Sequence, residues 1–464
     1  MLIRQFGPRL RSLLSIALAH MSSESEPRML HVSPQQDKEG SETLEESQSA
    51  KDSNLFSHPH EFPEGGLAAW ATTFGAFLMQ LCGIGYSTSF GVYQDFYTQH
   101  YLTNQTSSAI SWIGSLNTFL VTAVGLISGP LYDRGYFYHL VIAGSLLQSF
   151  SLFMLSLSKP DQYYQIFLAQ GVGMGIGSGL VYVPSIAVVS HYFRRRRTLA
   201  MTFVASGSSL GAVVHPIMLN NILNGHLSFG NSVRASAGLV SILLLIACLC
   251  MRTRLDPPTT PTNYIVAAKK SIRDAPFIFM IAGGFFFQTG FYYPLFFIQL
   301  DSIKHGLSVT FSFYSLVILN VSNCVARVTS GFIAAFTGVP NLVIVATISG
   351  GVLILSMIGL SSLASVVVLG MMYGYFAGLY IAMMAPLVAT LTPDFSELGA
   401  RMGIAFFISG FGALIGTPIS GALLTSNYTW WIPAVFSGVA SVIGGIMYTI
   451  MRFIFVRRQM NDKT

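Results

Sequence analysis

The chain has 464 residues, of which 52% are hydrophobic and 9% charged, with a net charge of +6 and a mean hydropathy of +0.58. A soluble domain carries about a quarter of its residues charged, so this composition excludes a water-soluble fold and makes a bilayer the expected solvent. It also excludes a nucleic-acid partner, because the basic excess has no soluble face on which to act.

Residues 1–62 are rich in Ser, Glu, Gln and Lys and have no sustained apolar period, which predicts a disordered cytoplasmic tail. Its first twenty residues, MLIRQFGPRLRSLLSIALAH, hold three arginines and no acid. They read either as a targeting segment or as a leader ahead of a start at Met21. From Gly65 onward twelve apolar runs follow, at about 65–93, 107–130, 138–157, 163–189, 198–222, 232–251, 274–300, 309–336, 341–361, 364–391, 401–424 and 430–455. Each reaches the roughly 20 residues a spanning helix needs, and none alternates as a membrane β-strand does.

The connection MRTRLDPPTTPTNYIVAAKKSIRD (251–274) divides the runs six and six. The predicted fold is therefore an all-α membrane protein with twelve transmembrane helices in two pseudo-symmetric six-helix bundles. The expected divisions are a first bundle at 63–252, a cytoplasmic central loop at 253–272, a second bundle at 273–455 and a cytoplasmic tail at 456–464. Cys82, Cys248, Cys250 and Cys324 lie inside apolar runs without metal or disulfide spacing. No metal or cofactor is predicted.

Lys and Arg set the orientation. With the N-terminal tail inside, the cytoplasmic loops and tail carry Arg134, Arg194 to Arg197, Arg252, Arg254, Lys269, Lys270, Arg273, Arg401, Arg452, Arg457, Arg458 and Lys463. The other side receives Lys159, Arg234 and Lys304. Both termini are thus expected in the cytoplasm, with the plasma membrane as the location. A glycosylation sequon at Asn104 falls on the outer side, and another at Asn427 lies close to the bilayer.

An internal repeat sharpens the architecture. RTLAMTFVASGSSLGAVVHPIM (197–218) and ARMGIAFFISGFGALIGTPISG (400–421) match in order at Arg197 and Arg401, Phe203 and Phe406, Ser206-Gly207 and Ser409-Gly410, and Pro216 and Pro418. Two repeated six-helix halves are the architecture of a secondary transporter with its substrate site between the halves. The run GVGMGIGSG (171–179) lacks nucleotide-loop spacing and reads as close helix packing.

Ionisable groups inside a bilayer are costly and usually functional. Arg327 is the strongest candidate, with Asn323 and Asn320 on the same helix face. A guanidinium on such a stripe suits a bidentate carboxylate contact, or alternatively packs a helix through backbone carbonyls. His215, beside Pro216, is a candidate proton carrier or a neutral packing residue. Gln288 with Tyr292 and Tyr293, and Gln80 with Tyr86, are further candidate cavity residues. The runs hold no paired carboxylates, HExxH or Ser/His couple, so no enzyme is predicted.

The stretches PEGGLAAW (63–70), GPLYDRG (129–135) and YFRRRRTLAMTFVASG (192–207) resemble the monocarboxylate transporter-like family of the major facilitator superfamily, in its fungal branch. The resemblance covers 63–455 and implies a carrier that rocks two bundles about a central site. It implies that Asp133, next to Arg134, faces a helix N-terminus as a gate, whereas the matching SGFIAAFTG (330–338) has no acid or base. Arg194, Arg195, Arg196, Arg197 and Arg401 become either an interbundle lock or plain topological anchors. In carboxylate-transporting relatives an arginine in the eighth helix contacts the anion, beside an acid and with a lysine on the first helix. Here Asn323 stands near Arg327, and no Lys or Arg occurs between Gly66 and Asp95. The expected function is alternating-access transport of a small organic solute, a carboxylate or related metabolite. The alternatives are a neutral or vitamin-like cargo, or a nutrient sensor that does not transport.

Overall fold

The structure is a computed structural model and describes residues 64–223, 225, 227–254, 264–424 and 429–461. The expectations for residues 1–62, for the Asn427 sequon, for Lys463 and for the middle of the central loop lie outside these residues.

Twelve helices among the described residues are long and apolar enough to cross a membrane: α1 Leu67–Gln94, α2 Trp112–Asp133, α3 Phe137–Leu155, α4 Tyr163–His191, α5 Arg197–Leu223, α6 Phe229–Cys250, α7 Ala275–Gln299, α8 Tyr314–Thr337, α9 Val339–Gly359, α10 Leu363–Leu391, α11 Leu398–Leu423 and α12 Trp431–Asn461. Continuous apolar sequence makes helix the favoured state, because hydrocarbon leaves no other partner for backbone N–H and C=O groups. Polar side chains set several starts. Thr106 accepts from the amide of Ala109, Ser308 from that of Phe311, and Ser362 and Ser365 form a reciprocal cap at α10. Pro184, Pro216, Pro294, Pro386 and Pro418 sit within helices, where buried neighbours can satisfy the backbone groups they free.

The central connection is not wholly a loop. Tyr264–Arg273 forms a ten-residue linker helix, because Val266, Lys269, Lys270 and Arg273 recur at helical spacing on one face.

Small residues bring the helices together. Gly175 and Gly179 of α4 lie against the α2 backbone around Asn117 and Leu120, and Gly177 against Gln148 of α3, so GVGMGIGSG is a packing surface. The two bundles meet along two seams. In the first, Gly129 and Gly125 of α2 face Gly399 and Gly403 of α11, and a β-carbon on Gly129, Gly399 or Gly403 would collide with the opposing backbone. In the second, Gly331 of α8 meets Leu199 and Thr202 of α5. Between the bundles, the hydrogen bonds, ring contacts and glycine approaches of the described residues lie between mid-helix and the end bearing Asp133, Arg197 and Arg401. The structure is closed at that arginine-rich end.

Candidate functional site

Near mid-height the bundles enclose a small cavity bordered by Gln80 of α1, Tyr182 of α4, Ala205 and Ser208 of α5, Arg327 of α8 and Phe406 of α11. Arg327 is its charged group, buried although it belongs to the second bundle and points at the first. Its Nε donates to Asn323 Oδ1 at 2.8 Å, while one terminal nitrogen donates to the Ala205 carbonyl at 2.8 Å and, very closely, to the Ser208 hydroxyl. Ser209 donates to the same Asn323 oxygen at 2.6 Å. Arg327 and Asn323 thus bond one bundle to the other through α5. The Tyr182 ring lines the cavity beside Arg327. An arginine satisfied only by neutral acceptors keeps its full charge in a low-dielectric site, and so remains available to an anionic or strongly accepting ligand.

Of the other candidates, Gln80 borders this cavity, whereas Asn320, His215, Tyr86 and Gln288 do not. Asn320 shares the face, but its side-chain NH2 donates to the Leu316 carbonyl of its own helix at 3.1 Å and the residue is not among those that border the cavity. His215 is fully buried inside the first bundle, edge-on to Tyr86 with ring centroids 5.0 Å apart. Neither of its ring nitrogens has a hydrogen-bond partner of acceptable geometry among the described residues. Tyr86 is engaged with Tyr93 at 2.7 Å and Ser236 at 2.8 Å, tying α1 to α6. Both residues therefore belong to the core of the first bundle, because their position on α1 and α5 faces those helices rather than α8. Gln288 on α7 is half-buried and its Oε1 is without a partner in the described structure. Sequence reasoning missed Tyr182, Ser208 and Phe406, and the one available signal was the place of Ser208 and Phe406 on the repeat-related helices.

The gate candidates divide similarly. Asp133, at the end of α2, accepts from the amides of Gly399 at 2.9 Å and Ala400 at 2.7 Å, the first amides of α11. A carboxylate there is favoured by unpaired N–H groups and the partial positive charge of the helix end. Arg134 beside it is exposed and takes part in none of the ion pairs among the described residues.

Among the described residues, no hydrogen bond or ion pair links the side chains of Arg194, Arg195 and Arg196 to the second bundle. Arg194, Arg195 and Arg196 donate through their backbone amides to the Glu64 carboxylate at 2.9, 2.5 and 3.1 Å, on the exposed rim of the first bundle. Burial pushes the Glu64 carboxyl up, but the amides of Arg195, Arg196 and Arg194 outweigh it and hold the pKa below the usual carboxylate value. Trp70 packs edge-on against Phe193 and Phe203, with centroids 5.4 and 6.5 Å away. PEGGLAAW and YFRRRRT are thus two sides of one contact, made possible by the turn at Glu64 and Gly66, whose φ angles are 49° and 92°.

Arg197 does cross to the second bundle, donating to the Ala389 carbonyl at 3.3 Å. Arg401 does not cross. It is buried in its own bundle, bonded to Asp274 at 2.9 Å and the Leu391 carbonyl at 3.2 Å, with Glu397 at 3.8 Å and the Phe277 ring beneath it. Its carboxylate partners stand just before α7 and α11, so Arg401 fixes the start of α11 that Asp133 meets.

A family model described as "Major Facilitator Superfamily" matches residues 72–375. The MFS transporter asaE of Aspergillus flavus is 33% identical over 90% of this chain and 92% of its own length. The aspyridones efflux protein apdF of Emericella nidulans is 33% identical over 86% of this chain and 82% of its own. Among solved structures, the E. coli fucose:proton symporter superposes with a TM-score of 0.67 at 12% identity, covering 83% of this chain and 99% of that one. The proton:xylose symporter XylE gives a TM-score of 0.65 at 13% identity, covering 84% and 95%. The twelve-helix fold, the central interbundle cavity and these likenesses together make the chain a member of the Major Facilitator Superfamily, a secondary transporter of a small solute.

Proposed function

We propose that the protein exports an organic metabolite bearing a carboxylate or another strong hydrogen-bond acceptor, with Arg327 as the group that receives it. The observation that carries this reading is the cross-bundle bonding of Arg327 to Ala205 and Ser208 at the border of the central cavity. An acceptor on the cargo competes with these two α5 groups for the same guanidinium. Binding then weakens one bundle-to-bundle tie, so cargo and conformation are linked. Hydrogen bonds to a charged group contribute about 1.5–3 kcal/mol each. Two of them are comparable with the roughly 5.5 kcal/mol needed to move an equilibrium from 1:99 to 99:1. Tyr182 and Phe406 supply aromatic surface for the rest of the cargo.

Export is supported by the relatives, of which one is an aspyridones efflux protein and another the agnestins efflux protein of Paecilomyces divaricatus, 34% identical over 82% of this chain. The arginine-rich end faces the cytoplasm in this reading, with the plasma membrane as the site of export, because basic residues crowd that end. The three quoted motifs favour the monocarboxylate transporter-like branch, and the apolar runs divide the chain into the two bundles and the connection given above. Proton coupling through His215 would require a proton to reach a ring buried against Tyr86. The test is a thermal-stability screen of the purified protein against small carboxylates and neutral heterocycles, with Arg327→Gln in parallel. Stabilisation by acidic compounds in the wild type alone supports the reading. An equal response of both proteins, or a response to neutral compounds only, sinks it.

A further inference from the structure

At the arginine-rich end, away from the interbundle cavity, a second cavity of about 780 Å³ opens between the linker helix Tyr264–Arg273, the start of α7 and the end of α12. Val266, Lys269, Lys270 and Arg273 line one wall, spaced i, i+3, i+4 and i+7 so that all four share a helix face. Ile454 and Arg458 of α12, one turn apart, line it as well, together with Arg401 and Asp274.

The charges are unequal. Asp274 holds Arg401 at 2.9 Å and Arg458 at 3.2 Å, and Glu397 holds Lys270 at 3.0 Å. Two carboxylates therefore serve three cations. Lys269 and Arg273 have no ion-pair partner among the described residues, which leaves the cavity with an excess of positive charge. Its other lining is apolar, through Val266, Pro276 and Ile454. Its height is set by Asp274 and Ala275, where α7 enters its membrane span. Val266 and Ile272 are more than half exposed on the linker helix, as suits a short helix lying in a membrane interface.

We propose that this cavity binds the headgroup of an anionic phospholipid, with Lys269 and Arg273 on the phosphate and Val266 and Ile454 against the glycerol and upper acyl chains. Cations with an apolar floor at the level where a helix leaves the hydrocarbon match such a lipid better than a free anion, which would gain nothing from the apolar lining. The choice of lipid rests on the cytoplasmic placement of this end, since that leaflet is the anionic one. Because Arg401 borders the cavity and its neighbour Ala400 receives Asp133, a bound headgroup sits beside the gate contact.

The experiment uses the full chain in a neutral detergent. Its thermal midpoint is followed against short-chain phosphatidylserine, short-chain phosphatidylinositol phosphate, short-chain phosphatidylcholine and inorganic phosphate. The anionic lipids are expected to raise the midpoint where phosphatidylcholine and inorganic phosphate do not. A Lys269→Gln, Arg273→Gln variant is expected to need roughly 25-fold more lipid, at about fivefold per cation. The charge-preserving Lys269→Arg, Arg273→Lys variant should respond like the wild type, which separates lost charge from misfolding. Arg327→Gln should also keep the lipid response, so failure of this proposal and failure of the cargo reading are distinct results. An unchanged dose dependence in the neutral variant overturns the proposal, as does an equal effect of inorganic phosphate. A wild-type response that appears only after removal of residues 1–62 also overturns it, by assigning the cavity to that acid-rich segment.

Discussion

The two seams between the bundles occupy related positions in the repeat but are held by different chemistry. Along α2 and α11, backbone packs on backbone through Gly125, Gly129, Gly399 and Gly403, and the one charged contact described there, Asp133 on the first amides of α11, lies at the very end. Along α5 and α8, Gly331 again allows close approach, but the place matching Asp133 holds Ala335, and the polar tie is Arg327 with Asn323, buried within α8 rather than at its end. A charge at the membrane surface can be released into water at little cost. A charge in the middle has to exchange one buried partner for another. The first seam is therefore suited to latching and the second to sensing what occupies the cavity.

Substitutions along the two seams put that contrast to the test. The largest effect is expected at Arg327. Replacing it by Gln removes both bonds to α5, each worth about 1.5–3 kcal/mol as a hydrogen bond to a charged group. Transport of an acidic cargo by the reconstituted protein should fall at least about 100-fold, with the purified variant still monodisperse on gel filtration. Retained flux would mean that the central tie is only structural.

Gly129→Val or Gly399→Val comes next. A side chain in that contact forces the helices apart, and overpacking costs about 1–3 kcal/mol. Labelling of an introduced cysteine near the seam should then become about 5- to 100-fold faster, whereas an unchanged rate would show that the glycines are not the closing surface. Asp133→Asn keeps the shape but loses the charge at the helix end, worth about 0.3–1 kcal/mol, and the acceptor that one of the Gly399 and Ala400 amides uses. The same labelling assay should show a change of about two- to fivefold, clearly below that of the glycine variants.

Glu64→Gln should have the smallest effect, because its carboxylate clamps α1 to α5 within one bundle. The sign of its pH dependence follows from a folded pKa that is lowered. The contribution to stability is present above the unfolded value and is lost as pH falls through the folded one. Wild type should thus lose a few tenths of a kcal/mol relative to Glu64→Gln only below about pH 4.5, as read from thermal midpoints. Equal pH profiles for the two proteins would remove Glu64 from the account.

Much of the fold was legible in the sequence, because a bilayer leaves a long apolar run few alternatives to a helix. Arg327 was legible for the same reason: a charge is conspicuous where charges are costly. The partners of these groups were harder to read. Glu64 meets the backbone amides of Arg194 to Arg196, and a backbone donor leaves no mark in the sequence. Tyr182 borders the cavity, yet aromatic residues are so common in these helices that nothing set it apart, and Phe406 was marked only by its match to Phe203 in the repeat. His215 was selected for its chemistry, but helix rotation decides its neighbours and turns it toward Tyr86. Arg401 matched Arg197 in the repeat, yet Asp274 and Glu397 hold it within its own bundle, whereas Arg197 crosses to Ala389.

In the structure Arg327 ties the bundles together in a form closed at the arginine-rich end. Spin labels at Arg134 and Phe336, both exposed and on opposite bundles at that end, report on this closure in a protein freed of its native cysteines. Distances are then compared with and without Arg327→Gln, in the absence of cargo. The account predicts a single short-distance population in the parent and a substantial longer-distance population in the variant. Identical distance distributions in the two proteins would contradict it.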